Sequence, residues 1–121
     1  VHSEDGLDEI SIAAPTSVVE MKNGNISEFQ IHPEDFGFKA SSLEGLEVNS
    51  PEQSLEIAKL ALMGEHEKAS AMIAMTAGAA LYISDIADSL DSGVQLAKDC
   101  IKEGGGIKKL NQLIDYSSTF K

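Results

Sequence analysis

The chain has 121 residues, 42% of them hydrophobic, and a formal net charge of −11. Its length suits one compact domain, and it lacks any run of the roughly 18 to 20 apolar residues that a membrane-spanning helix requires. Because twenty acidic residues accompany only nine basic ones, a nucleic acid is an unfavourable partner, although a divalent cation could still hold a small phosphorylated substrate against carboxylates.

The opening segment concentrates carboxylates beside a glycine, in the run His2-Ser3-Glu4-Asp5-Gly6-Leu7-Asp8-Glu9. Asp8 and Glu9 are adjacent, and from an irregular loop both can point at one hydrated Mg²⁺, which takes few carboxylates and keeps several waters. The spacing alone favours a solvated acidic turn over a metal site. Residues 10–12 then have the pattern of a strand, and the start at Val1 rather than Met indicates a truncated or processed chain.

A β-hairpin is predicted from residue 16 to residue 32, with Asn23-Gly24 as a type I′ turn, since both central residues of that turn need positive φ. This turn places Met21 opposite Ile26 and Val18 opposite Phe29, so each pair of apolar residues faces across the two strands. A two-stranded ribbon with apolar groups on both faces is marginal alone, so we expect it to extend a larger sheet whose other strands precede Val1. Pro33 ends the second strand, and the run Glu34-Asp35-Phe36-Gly37-Phe38 predicts a turn anchored by its two aromatic side chains.

A first helix is expected to begin at Ser50, which is a favourable N-cap residue. Pro51 occupies the first helical position, Gln53 can complete a capping box, and Gly64 ends the helix.

A second helix should run from about residue 67 to residue 85. It is apolar nearly all round between residues 71 and 83, which predicts a central position in the fold. Gly78 and the alanines beside it would allow a neighbouring element to approach closely. We therefore expect close packing to offset the cost of Gly78 in helix propensity.

Asp88 or Ser89 can cap a third helix. Its predicted inward stripe is Leu90, Val94, Ala97 and Ile101. Cys100 lies in the same pattern and is interpreted as a buried small hydrophobe rather than a nucleophile. Gly104-Gly105-Gly106 follows a helix without a preceding strand, so we interpret it as a helix stop and short hinge rather than a phosphate loop. The inward residues of the last helix are predicted to be Ile107, Leu110, Leu113 and Ile114.

Four motifs occur in an order that resembles the end of the anthranilate phosphoribosyltransferase family. They are Val-His-Ser-x-x-Gly-Leu-Asp-Glu at residues 1–9, Ala-Pro-Thr at 14–16, Pro-Glu-Asp-Phe-Gly at 33–37, and Ala-Gly-Ala-Ala-Leu-Tyr at 77–82. The resemblance covers nearly the whole chain. One departure is Thr76, where the family more often has Asn.

The resemblance implies an α/β fold in which residues 1–121 form the carboxy-terminal part of a nucleoside phosphorylase and phosphoribosyltransferase-like catalytic domain. It also implies transfer of the phosphoribosyl group from phosphoribosyl pyrophosphate to anthranilate in tryptophan biosynthesis, with Asp8 and Glu9 as the Mg²⁺ ligands. The helical domain, the Gly-rich phosphate loop and the anthranilate site of the family would lie upstream. We therefore expect a cytoplasmic homodimer for the full-length protein, and an inactive piece without catalytic residues for this chain alone.

Two alternatives remain open. The related pyrimidine nucleoside phosphorylases have a similar architecture, but the Gly-Leu-Asp-Glu turn at residues 6–9 argues against them. A transferase-like module that binds nucleic acid without catalysis would suit a basic surface, and the net charge of −11 disfavours it.

Overall fold

A computed structural model describes residues 1–120, which form a small antiparallel sheet, a 3₁₀ helix and four α-helices. The elements are β1 (His2–Ser3), β2 (Thr16–Lys22), β3 (Asn25–Ile31), the 3₁₀ helix (Pro33–Phe36), α1 (Pro51–Leu62), α2 (Glu67–Ile83), α3 (Leu90–Lys102) and α4 (Gly105–Ser117). The sheet order is β1-β2-β3. The predicted α/β class and the order of a hairpin followed by four helices are thus confirmed.

The hairpin formed by β2 and β3 has the predicted turn and register. Asn23 has φ 53° and Gly24 has φ 78°, as a type I′ turn requires. Both predicted pairs are found, Val18 opposite Phe29 and Met21 opposite Ile26. Val18 packs against the core, whereas Met21 on the opposite face is 77% exposed. A larger sheet beyond β1 remains a prediction.

The predicted strand at residues 10–12 is wrong. Ile10, Ser11 and Ile12 are all buried, but the segment is irregular. Its backbone bonds to side chains and to a loop rather than to a neighbouring strand. The N–H of Ser11 donates to Thr16 Oγ1 at 3.2 Å, and the carbonyl of Ile12 accepts from the N–H of Ser41 at 3.0 Å. The strand-like pattern of residues 10–12 therefore reflects the burial of the segment and not pairing with a neighbouring strand.

The predicted ends of α1 are confirmed, with one change in the cap. Ser50 Oγ accepts a hydrogen bond from the backbone N–H of Gln53 at 3.2 Å. The Gln53 side chain accepts from the N–H of Asn49 rather than from that of Ser50, so the reciprocal half of the capping box shifts by one residue. After the helix, Gly64 has φ 75°, and the N–H of Glu65 donates to the carbonyl of Leu60, which completes a Schellman motif.

The central position of α2 is confirmed. Its Met75 is 1% exposed and packs in the core with residues of the hairpin, the 3₁₀ helix and α3. Where α2 crosses α3, a Cβ added to Gly78 would lie 2.5 Å from the backbone nitrogen of Val94, and one added to Gly93 would lie 2.3 Å from the carbonyl oxygen of Gly78. Two glycines therefore let the helix backbones touch, and the sequence had pointed to only one of them.

The predicted inward stripe of α3 is confirmed, but Cys100 is exposed rather than buried. At about 100° per residue, Cys100 lies roughly 90° round the helix axis from the centre of the stripe. It faces the start of α4, where its Sγ would be 2.6 Å from a Cβ on Gly105.

The glycine triplet is a helix stop, as predicted, but it is not a hinge. Gly104 has φ 75° and separates the two helices, whereas Gly105 and Gly106 already belong to α4. Gly106 lies against the side chain of Leu62 in α1. The first turn of α4 is thereby packed against two helices.

The inward stripe of α4 was predicted too long. Ile107 and Leu110 are half-buried, but Leu113 is 60% exposed and Ile114 is also exposed. All residues from 111 to 120 are exposed, because the contacts of α4 lie near its start, against α1 and α3. Across residues 1–120, no helix is both long enough and apolar enough to cross a membrane.

Candidate functional site

The opening loop between β1 and β2 is closed by backbone hydrogen bonds. The N–H of Ser3 donates to the carbonyl of Leu7 at 3.1 Å, and the N–H of Glu4 donates to the carbonyl of Pro15 at 3.0 Å. Gly6, with φ 89°, makes the tight turn between them. At the side-chain level, Gln30 of β3 donates to Glu4 at 2.7 Å. The loop is therefore held at both ends.

A buried polar cluster beneath this loop fixes its shape. Ser11 and Thr16 are fully buried, and the Ser11 hydroxyl donates to the carboxylate of Asp5. Asp5 also accepts from the N–H of Leu7 at 3.2 Å, which is the Asx-turn arrangement. Desolvation raises the pKa of Asp5, but the hydrogen bonds that its carboxylate accepts, the largest of them from Ser11, together outweigh it, so the pKa lies below its usual value.

Sequence reasoning did not assign a role to this cluster. Asp5 stands two residues before Leu7, which is the spacing of an Asx turn, and that local signal could have identified it. The partnership with Ser11 and Thr16 depends on how the chain folds back, and short-range spacing does not reveal it.

Asp8 and Glu9 are adjacent in sequence on the anchored loop, and both are exposed. Immediately after them, Ile10 is 4% exposed in the core. The Glu9 Oε2 accepts a hydrogen bond from Thr76 Oγ1 of α2 at 3.2 Å. The structure thus brings one of the two predicted metal ligands to the middle of the central helix.

The donor set at this point suits a hydrated magnesium ion. Among residues 1–120, no three His, Cys, Asp or Glu side chains gather where they could hold a metal ion. Mg²⁺ is commonly bound through one or two carboxylates, with waters and substrate phosphate oxygens in its other positions. Two adjacent, solvent-facing carboxylates at Asp8 and Glu9 fit that requirement.

A cleft of about 660 Å³ lies between β2 and α2, and Glu9 and Thr76 are among its lining residues. At another point of its wall the Tyr82 hydroxyl donates to Glu20 Oε1 at 2.6 Å and accepts from Lys22 Nζ at 3.0 Å. The hydrogen bond to Tyr82 raises the pKa of Lys22, so its ammonium charge is held more firmly. These contacts tie the hairpin to α2.

Residues 1–107 match a sequence model described as the glycosyl transferase family, α/β domain. An anthranilate phosphoribosyltransferase of Ectopseudomonas mendocina is 50% identical over 125 aligned positions that cover all of this chain and 36% of that protein. The corresponding protein of Pseudomonas putida has the same identity and coverage. The chain therefore spans about a third of the length of the curated relatives it matches.

Solved structures show the same likeness. An anthranilate phosphoribosyltransferase from Thermus thermophilus is 29% identical, with a TM-score of 0.81 over 93% of this chain and 33% of that one. One from Saccharomyces cerevisiae, solved in complex with PRPP and Mg, is 22% identical, with a TM-score of 0.81 over 98% of this chain and 34% of that one. At that identity the yeast structure supports the fold alone.

Proposed function

Because the chain belongs to the glycosyl transferase family, with residues 1–107 matching its α/β domain, we propose that it works as part of an anthranilate phosphoribosyltransferase. The sequence resemblance to that group is confirmed by the curated relatives at about 50% identity. The proposed reaction transfers the phosphoribosyl group from phosphoribosyl pyrophosphate to the amine of anthranilate, and pyrophosphate leaves. The names of these relatives favour this reaction over nucleoside phosphorolysis and over a non-catalytic binding module.

The observation that supports the proposal most directly is the placement of Asp8 and Glu9. Both carboxylates are exposed on a loop that backbone hydrogen bonds and the Asp5 cluster keep in one shape. A pre-shaped loop avoids the entropic cost of ordering its ligands when the substrate binds. Neither carboxylate is required to contact anthranilate.

Asp8 and Glu9 would hold Mg²⁺ against the pyrophosphate of the donor. When bound, Mg²⁺ would neutralise the negative charge that develops on the departing pyrophosphate. The two side chains supply the oxygen ligands and leave other positions for water and substrate oxygens.

The rest of the active site is proposed to belong to a longer polypeptide. The curated relatives are about three times as long as the matched segment, since it covers 36% of their length. We propose that the Gly-rich phosphate loop, the anthranilate site and the helical domain lie outside these 121 residues. In this proposal the intact protein is a cytoplasmic homodimer, and this piece alone is inactive.

The proposal is tested in the intact protein by replacing Asp8 with Asn together with Glu9 with Gln. Pyrophosphate release from phosphoribosyl pyrophosphate and anthranilate is measured across a Mg²⁺ titration. We expect turnover to fall and the half-saturating Mg²⁺ concentration to rise by about tenfold or more, because two charge-bearing ligands become neutral.

The matched control is Glu44→Gln with Glu47→Gln, which removes the same two charges from exposed positions in the connector before α1. This control should leave the Mg²⁺ titration unchanged. A Mg²⁺ requirement that is equal in the wild type and the Asp8/Glu9 variant would reject the proposed metal role.

A further inference from the structure

The hydrogen bond between Thr76 and Glu9 joins two residues that are 67 positions apart in the chain. Both ends are anchored. Thr76 follows Met75, which is 1% exposed in the core, and Glu9 precedes Ile10, which is 4% exposed. Core packing therefore fixes the backbone at both ends of the contact, and the exposed Glu9 side chain extends from a fixed point to reach the hydroxyl.

The Thr76 hydroxyl has one proton to donate. In the interior of a helix, a threonine often gives this proton to the carbonyl four residues earlier, which for Thr76 is that of Met72. Here it goes to Glu9 Oε2 across the cleft instead. Oε2 thereby uses one of its lone pairs on Thr76, whereas within residues 1–120 no side-chain hydrogen bond to Oε1 is found and that oxygen is the freer one to meet a ligand.

We propose that Thr76 is a positioning residue that makes Glu9 a one-oxygen ligand and so favours Mg²⁺ over Ca²⁺ at the Asp8/Glu9 pair. Mg²⁺ requires near-octahedral geometry at about 2.0 to 2.1 Å, whereas Ca²⁺ accepts carboxylates that bind through both oxygens at about 2.3 to 2.6 Å. A hydroxyl that donates to Oε2 competes with a cation for that oxygen and so disfavours the two-oxygen mode. The inference rests on the proposed metal role of Asp8 and Glu9.

The test uses the intact protein with inorganic pyrophosphate as the probe for the donor. Mn²⁺ binding is measured by electron paramagnetic resonance, and Mg²⁺ and Ca²⁺ are each titrated as competitors. Thr76→Val keeps the shape of the side chain and removes the donor, whereas Thr76→Ser keeps the donor. If the Thr76 hydroxyl disfavours two-oxygen binding, Thr76→Val should lower the Mg²⁺-to-Ca²⁺ affinity ratio by about fivefold to tenfold, which is the change expected for the net loss of one ordinary, exposed hydrogen bond.

Thr76→Ser should keep the ratio within about twofold of the wild type. A purely structural role for Thr76 would change the unfolding midpoint of the Val variant and leave the cation ratio as it was, and that result would overturn the inference. Glu9→Gln separates the two proposals. If it weakens metal binding while Thr76→Val has no effect on the ratio, the metal role stands and the positioning role fails. If Glu9→Gln leaves metal binding unchanged, both fail.

Discussion

Replacing Gly78 with Ala tests whether the α2–α3 crossing depends on direct contact between backbones. The added Cβ would lie 2.5 Å from the nitrogen and 2.6 Å from the Cα of Val94. Backbone atoms cannot rotate away as a side chain does, so the helices must separate. Overpacking of this kind costs about 1 to 3 kcal/mol of stability. The higher helix propensity of Ala offsets about 1 kcal/mol of that cost. We expect a net loss of about 1 kcal/mol in the free energy of unfolding.

Urea denaturation followed by circular dichroism at 222 nm measures this loss. Gly106→Ala is the matched control, because its Cβ would meet the Cδ2 atom of Leu62 at 2.9 Å, and the end of a leucine side chain can move. The control should therefore lose less stability than Gly78→Ala. A Gly78→Ala protein as stable as the wild type, or more stable, would refute the claim that the crossing has no room for a methyl group.

Two further predictions concern a helix cap and the opening loop. Ser50→Ala removes the acceptor for the N–H of Gln53 and should cost about 1 kcal/mol; an unchanged urea midpoint would contradict this. The pKa of Asp5 is lowered from 3.8 in the folded protein, so its contribution to stability is present above the unfolded pKa and is lost as pH falls through the folded pKa. Ser11→Ala should move this pKa upward, and an NMR titration of Asp5 that shows no change would reject the role of the hydroxyl.

Short sequence motifs correctly predicted the hairpin turn and the ends of α1, because these features depend on residues that are close in sequence. Asn23-Gly24 fixed the register of the hairpin because a type I′ turn allows few other residues. Ser50, Pro51 and Gly64 set the limits of α1 because caps act on the nearest backbone groups. The carboxylate pair was also identifiable, although spacing alone favoured a solvated turn, and family resemblance was needed to propose a metal role for it.

The errors came from features that depend on distant parts of the chain. Ile12 has the burial of a strand residue but no ladder partner, and periodicity cannot report whether a partner exists. Leu113 continues an apolar stripe past the end of the surface that α4 packs against. The contact between Thr76 and Glu9 was likewise out of reach, because it depends on where α2 docks.

The 67-residue separation between Glu9 and Thr76 also has a consequence for the order of events in folding. The hairpin and the opening loop close over short stretches of sequence, whereas this contact must wait until α2 has docked, since long loops close at a higher entropic cost. We therefore expect the contact between Glu9 and Thr76 to form late in folding. Gly78 lies only two residues beyond Thr76 in α2, so in the proposed site the close α2–α3 crossing would act on the position of the hydroxyl that meets Glu9.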